Sequence, residues 1–225
     1  GVRELHHLYP ASPISQFLLG AVPGILFIVL SFLVFYLGWN SLLLGLAPLM
    51  WVVLSLISGF KSSSILSFFW LAIPLSSFLA LGWLGGSETY LPLIPLSVIS
   101  LLWINDTIAY VSGSLIGKHP MTPRLSPGKT WEGFAGGLLF TQLGGWIIHR
   151  ITGAFSPGTW LMLAVIISIL GLLGDLYESG IKRKKEVKDA GNLLPGHGGI
   201  LDRFDSLLFV APGAWILFQL ISLMQ

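Results

Sequence analysis

The chain has no cysteine. Disulfides, zinc–thiolate sites and iron–sulfur clusters are therefore excluded. Charge is scarce as well. Only 10% of the 225 residues are Asp, Glu, Lys or Arg, where a soluble domain carries about 25%. So few charges cannot build a water-facing shell. Hydrophobic residues make up 54% of the chain and its mean hydropathy is +0.82, so lipid is the expected main solvent. The net charge of +2 gives no argument for a nucleic-acid partner, and none is expected. Internal repeats and low-complexity tracts are absent. Residues 1–16 hold Arg3, Glu4, His6 and His7 but no short apolar core with a small-residue cleavage site, so no cleavable signal peptide is expected. The first residue is Gly1 rather than Met, which sets the expectation that N-terminal residues are missing.

Long apolar runs dominate what is present. A helix needs about 20 apolar residues to cross a bilayer. That length predicts about seven spans, near 17–37, 41–58, 64–84, 91–113, 132–151, 158–179 and 204–222. The expected fold is all-α, a polytopic transmembrane helix bundle. Pro23, Pro48, Pro74, Pro95 and Pro212 fall within these runs. Membrane helices tolerate proline where neighbouring groups satisfy the backbone. Residues 1–90 read as an N-terminal scaffold. Residues 91–225 read as a catalytic part with polar loops at 114–131 and 180–203.

Lys and Arg set the expected orientation. Loop 114–131 has Lys118, Arg124 and Lys129, and loop 180–203 has Lys182, Arg183, Lys184, Lys185, Lys188 and Arg203. The positive-inside rule puts both loops in the cytoplasm, with the N-terminus on the same side. Apart from Arg150, the opposite loops carry almost no positive charge.

The carboxylates concentrate on that same side. Of ten acidic residues, only Glu4 and Glu88 lie outside 106–205. Asp106 falls in the fourth span, about two turns from its expected end. Asp175 and Glu178 fall in the last turns of the sixth span, with Ser179 four residues from Asp175. Asp202 and Asp205 open the seventh span at i, i+3. Carboxylates in spans are costly unless paired or bound to metal. Three spans aiming acids at one region suit a hard cation, Mg²⁺ above all, which takes one or two carboxylates plus substrate phosphates. The plainer roles are a helix cap for Asp202 and an i, i+4 partner of Lys182 for Glu178.

Two segments beside these acids can handle phosphate. Arg124 to Gly133 is punctuated by Gly and Pro, holds Ser126, Lys129 and Thr130, and runs into a helix start. The same residues also fit an ordinary capped helix with Ser126 or Thr130 as the cap. The segment lacks Walker A spacing. Lys182 to Asp205 joins a cationic run to a Gly-rich turn around His197. The cations could simply attract anionic lipid. His197 fits a base, a phosphate donor or a structural role equally well.

Together these residues resemble a known family. Ser179-x-Ile181-Lys182-Arg183, then Lys188-Asp189, then Pro195-x-His197-Gly198-Gly199-x-x-Asp202-Arg203-x-Asp205 is similar to the signature of phosphatidate cytidylyltransferases. Three upstream blocks match in the same order. They are Asn105-Asp106-x-x-Ala109-Tyr110, Ser126-Pro127-x-Lys129-Thr130-x-Glu132-Gly133 and Gly174-Asp175-x-x-Glu178-Ser179. The resemblance is close over about 103–206 and generic before that. Members usually have longer chains with more N-terminal helices.

The resemblance implies transfer of CMP from CTP to phosphatidate with release of pyrophosphate, in membrane phospholipid synthesis. It implies a divalent cation, usually Mg²⁺, a membrane-bound site, and often a homodimer. With the charge distribution, the expected place is the cytoplasmic face of a bacterial cell (inner) membrane. A second, monovalent ion is part of the expectation. Asp175, Asp202 and Asp205 correspond to acids of the metal centre, with Asp106 in support. Lys129 and Lys188 join the expected catalytic set. Ser126, Lys129, Thr130, Lys182, Arg183, His197 and Arg203 are the expected substrate contacts. Other readings stay open: a CTP-using polyprenol or phytol kinase, a cytidylyltransferase for ether lipid, or an ion-coupled transporter. A CDP-alcohol phosphatidyltransferase fits less well, because its D-G-x-x-A-R run is absent.

Overall fold

A computed structural model describes residues 14–36, 68–84, 90–187, 199 and 201–224. Contacts divide the chain into two compact units, 1–92 with 187–204, and 93–186 with 205–225. In the first unit, helix α1 is Ile14–Tyr36. A short π-helical turn at Phe68–Ala72 leads into α2, Ile73–Ala80, and then a 3₁₀ turn at Leu81–Trp83. Trp83 packs edge-to-face with the rings of Phe32 and Tyr90, and Leu91 N donates to Gly82 O at 2.8 Å. The expected span at 41–58 lies outside the described residues.

The second unit carries the site. Helix α3 is Leu93–Ile116 and α4 is Trp131–Thr152. Helix α5 is Pro157–Lys184, and α6, Leu201–Leu223, contributes from Asp205 onward. Between α3 and α4 the chain forms an antiparallel hairpin of β1, Pro120–Thr122, and β2, Ser126–Thr130. The described residues are mostly helical, as expected, and this short hairpin is the one addition, since loop 114–131 pairs its own backbone.

Local chemistry sets the helix ends. Thr130 caps α4 by accepting Gly133 N at 3.1 Å, and Gly153, at φ 64°, closes it with an N–H to His149 O. This left-handed position favours glycine. Ser156 caps α5 by accepting Thr159 N, with Pro157 at the first helical position. Two helices run past their expected ends. Helix α3 continues to Ile116, so Asp106 lies nearly three turns from its end rather than about two. Helix α5 continues to Lys184, so Lys182, Arg183 and Lys184 form its last turn. Cations there complement the negative end of the helix dipole.

Small residues let these helices approach. A Cβ on Gly133 would lie 2.6 Å from Ala109 O, and one on Gly137 would lie 2.9 Å from Asn105 O. A Cβ on Gly145 would lie 2.9 Å from Trp160 O, which brings α4 against α5. Such small-residue seams are typical of membrane helices. Apolar side chains fill the remaining core, with Val98, Leu101, Trp160, Leu163, Ile167 and Val210 fully buried.

Among the described residues, three helices, α3, α5 and α6, are long and apolar enough to cross a membrane. Helix α4 is continuous and matches the expected span 132–151 in place, with glycines and polar residues breaking up its apolar sequence. Long apolar side chains remain exposed on α3, including Leu96, Trp103, Leu115 and Ile116. Lipid is a natural solvent for such faces.

Candidate active site

Helix α5 supplies the centre of the site. Asp175 projects from its penultimate turns, and Ser179 one turn on donates its hydroxyl to Asp175 Oδ1 at 3.2 Å. The other carboxylate oxygen, Oδ2, pairs with Lys129 Nζ at 2.5 Å. Lys129 comes from β2, so the hairpin delivers a cation to the helix carboxylate. Both partners are partly exposed, at 23% for Lys129 and 37% for Asp175. The pair is therefore reachable by a ligand.

Two further acids share this electrostatic neighbourhood. Asp106 on α3 interacts with the charges of Asp175 and Lys129. Asp205 on α6 interacts with Asp175, Lys182 and Lys129. Asp205 also accepts Ser206 N at 2.6 Å. The approach of α5 to α6 depends on Gly174. A Cβ there would lie 2.6 Å from Asp205 O and 3.0 Å from Ser206 Cα. Gly174 thus sets the separation between the helices that carry Asp175 and Asp205.

Glu178 has a different role from these acids. It is 1% exposed and pairs with Lys182 at 3.2 Å, one turn along α5. This is the structural i, i+4 pair that the spacing allows. Because Lys182 also interacts with Asp205, the pair holds a second cation near the cluster.

Glu132 anchors the hairpin. Its Oε2 accepts Lys118 N and His119 N, each at 3.2 Å, and its Oε1 meets His119 Nδ1 at 2.5 Å. Trp131 N donates to His119 O at 3.0 Å. One carboxylate thus ties the strand entry to the start of α4. Replacing Glu132 with Ala should loosen Lys129 and lower turnover about tenfold. An assay of the purified variant checks this, with its melting temperature as a control for folding.

The structure thus gathers Asp106, Lys129, Asp175, Lys182 and Asp205 from the expected set. Thr130 is the α4 cap, and its oxygen is engaged by Gly133 N. Ser126 begins β2, with its carbonyl accepting Thr122 Oγ1 at 3.5 Å. Arg183 is exposed on the last turn of α5. Asp202 and Arg203 belong to the first unit. There Asp202 Oδ2 accepts Gly199 N at 2.8 Å, the reach-back of a helix-start carboxylate. Lys188 and His197 lie outside the described residues. Sequence reasoning missed the spacing role of Gly174, although its place beside Asp175 was a signal. It also missed His119, which no pattern marked.

Among the described residues, no three His, Asp or Glu side chains form a ready-made metal cage. The chemistry of the donors still fits a hard cation. Asp106, Asp175 and Asp205 offer only oxygen, and a site with few protein ligands suits an ion that arrives with phosphates.

Known proteins resemble the chain over part of its length. A phosphatidate cytidylyltransferase of Staphylococcus saprophyticus is 51% identical over 114 residues, covering 50% of this chain and 44% of that protein. One from Staphylococcus haemolyticus is 53% identical over 114 residues, with the same coverage. One from Bacillus subtilis is 46% identical over 123 residues, covering 54% of this chain and 46% of that protein. The matched stretch therefore spans under half the length of each relative. The profile of the cytidylyltransferase family extends further and matches residues 1–221, nearly the whole sequence, so the chain belongs to that family.

Proposed function

We propose that the protein transfers CMP from CTP to phosphatidate, yielding CDP-diacylglycerol and pyrophosphate. One observation carries this reading. Acids from three helices and a lysine from a hairpin share one electrostatic cluster in the second unit. The relatives described above bear the name of this activity. The phosphate of phosphatidate attacks the α-phosphorus of CTP, a new P–O bond forms, and the bond to pyrophosphate breaks. The nucleophile is already anionic at neutral pH, so no strong base is needed. The barrier lies in repulsion between anions and in their alignment.

Asp175, with Asp106 and Asp205, would hold a divalent cation, which would supply charge neutralisation for the phosphates. Lys129 reaches the same carboxylate from the hairpin and can turn its ammonium toward a phosphate oxygen. Lys182, held by Glu178, adds positive potential near Asp205. Ser179 fixes one oxygen of Asp175 and limits its rotation. Apolar α3, α5 and α6 keep the acyl chains of the substrate in lipid while its headgroup meets the cluster.

The finer parts of the proposal are seven spans, a cytoplasmic active site in a bacterial inner membrane, Mg²⁺ as the divalent ion, and a homodimer. The test incubates detergent-solubilised protein with labelled CTP, Mg²⁺ and phosphatidate. Labelled CDP-lipid with release of pyrophosphate is the expected result. CDP together with a phosphorylated alcohol, formed only when an alcohol acceptor is supplied, would make the protein a kinase instead.

A further inference from the structure

The seam between α3 and α4 holds a buried polar chain beside the cluster. Asn105 is 5% exposed and Thr141 is 0% exposed. Buried polar groups of this kind are almost always hydrogen-bonded. Asn105 Nδ2 donates to Asp106 Oδ1 at 3.2 Å. At the other end of the carboxamide, Asn105 Oδ1 accepts from the Thr141 hydroxyl at 3.4 Å. That hydroxyl also donates to Gly137 O at 2.7 Å, so its hydrogen is shared.

The two ends of a carboxamide are not equivalent. An ionised Asp106 only accepts hydrogen bonds, so the NH₂ end must face it. The oxygen end then faces α4, where Thr141 is the donor. Gly137 leaves room for that oxygen, since a Cβ on residue 137 would lie 3.1 Å from Asn105 Oδ1. Neighbouring side chains on a helix diverge by about 100°. The bond from Asn105 to Asp106 therefore requires the carboxamide to be held from outside α3.

We propose that Thr141 and Gly137 form a seat on α4 that fixes the carboxamide of Asn105, making Thr141 a positioning residue for Asp106. The seat acts through Asn105 and touches no substrate. It aligns one carboxylate oxygen so that the other stays directed toward the shared cluster. The inference rests on the proposed cation role of Asp106, and the experiment separates the two.

Mn²⁺ binding to the purified protein, with CTP present and phosphatidate absent, is read by electron paramagnetic resonance for the parent and four variants. Asp106→Asn tests the cation role alone. Thr141→Val keeps the shape of the side chain and removes the donor. Gly137→Ala keeps the donor and crowds both the carboxamide oxygen and the backbone carbonyl of Asn105. Thr141→Ser restores the hydroxyl. Val and Ala variants that each bind Mn²⁺ about tenfold more weakly, with Ser within about twofold of the parent, are the expected result. If Asp106→Asn weakens binding while Val and Ala do not, the seat is refuted and the cation role stands. If Asp106→Asn leaves binding unchanged, the cation role falls and the seat with it. Gly137→Ala keeps the test decisive should Thr141→Val fail to fold.

Discussion

Replacing Asp175 with Asn should lower the proposed CMP transfer by on the order of 10³-fold while leaving the protein folded. The substitution keeps size and shape, and an amide oxygen can still accept from Ser179. What it removes is the charge that pairs with Lys129 at 2.5 Å and interacts with both Asp106 and Asp205. Asp175 is the carboxylate of the cluster that pairs directly with Lys129 while interacting with both of the other acids. Phosphoryl transfer of this kind depends almost wholly on position and charge, so a residue that organises both should dominate. Steady-state turnover of the purified variant, beside its melting temperature, checks this. Turnover within tenfold of the parent would remove Asp175 from the site.

Gly174 should be nearly as sensitive for a different reason. Its partner atoms are backbone, Asp205 O and Ser206 Cα, so no side-chain rotation can relieve a clash. Gly174→Val must push α5 from α6 or twist one of them. Overpacking of this sort costs about 1–3 kcal/mol of stability. The larger effect should be on activity. A shift of about 1 Å between Asp175 and Asp205 is enough to cost on the order of 10²-fold. The variant should also bind divalent ion more weakly even where it remains folded. A Gly174→Val protein with parental turnover would mean that the spacing of α5 and α6 is irrelevant to catalysis.

These two residues also mark what was legible in the sequence. Asp175 stood out because a carboxylate in an apolar run is costly and needs a reason. Its bond to Ser179 and the pair of Glu178 with Lys182 followed from helical spacing alone. Lys129 was legible as a phosphate-type cation but not as the partner of Asp175, because helical periodicity does not report contacts between distant segments. The space at Gly174 was hidden for the same reason. A glycine in a span reads as tolerated until its neighbour is known.

The hairpin was hidden by its composition. Pro120, Pro123, Pro127 and Gly128 read as turn residues, and its strands are too short for alternation to be visible. Helix ends were misjudged where hydropathy ended before the helix did. Helix α5 carries three cations past its apolar run and stays helical because they suit its C-terminus. Thr141 carried no sequence signal at all, since a threonine within a span is unremarkable until a buried amide faces it.

Mg²⁺-dependent binding of radiolabelled CTP, measured at equilibrium on the parent and on Asp175→Asn, tests the central claim most directly. The account predicts that the parent binds CTP only with a divalent ion present and that the variant loses this dependence along with most of its affinity. Equal, Mg²⁺-dependent binding by both proteins would contradict a cation held at Asp175.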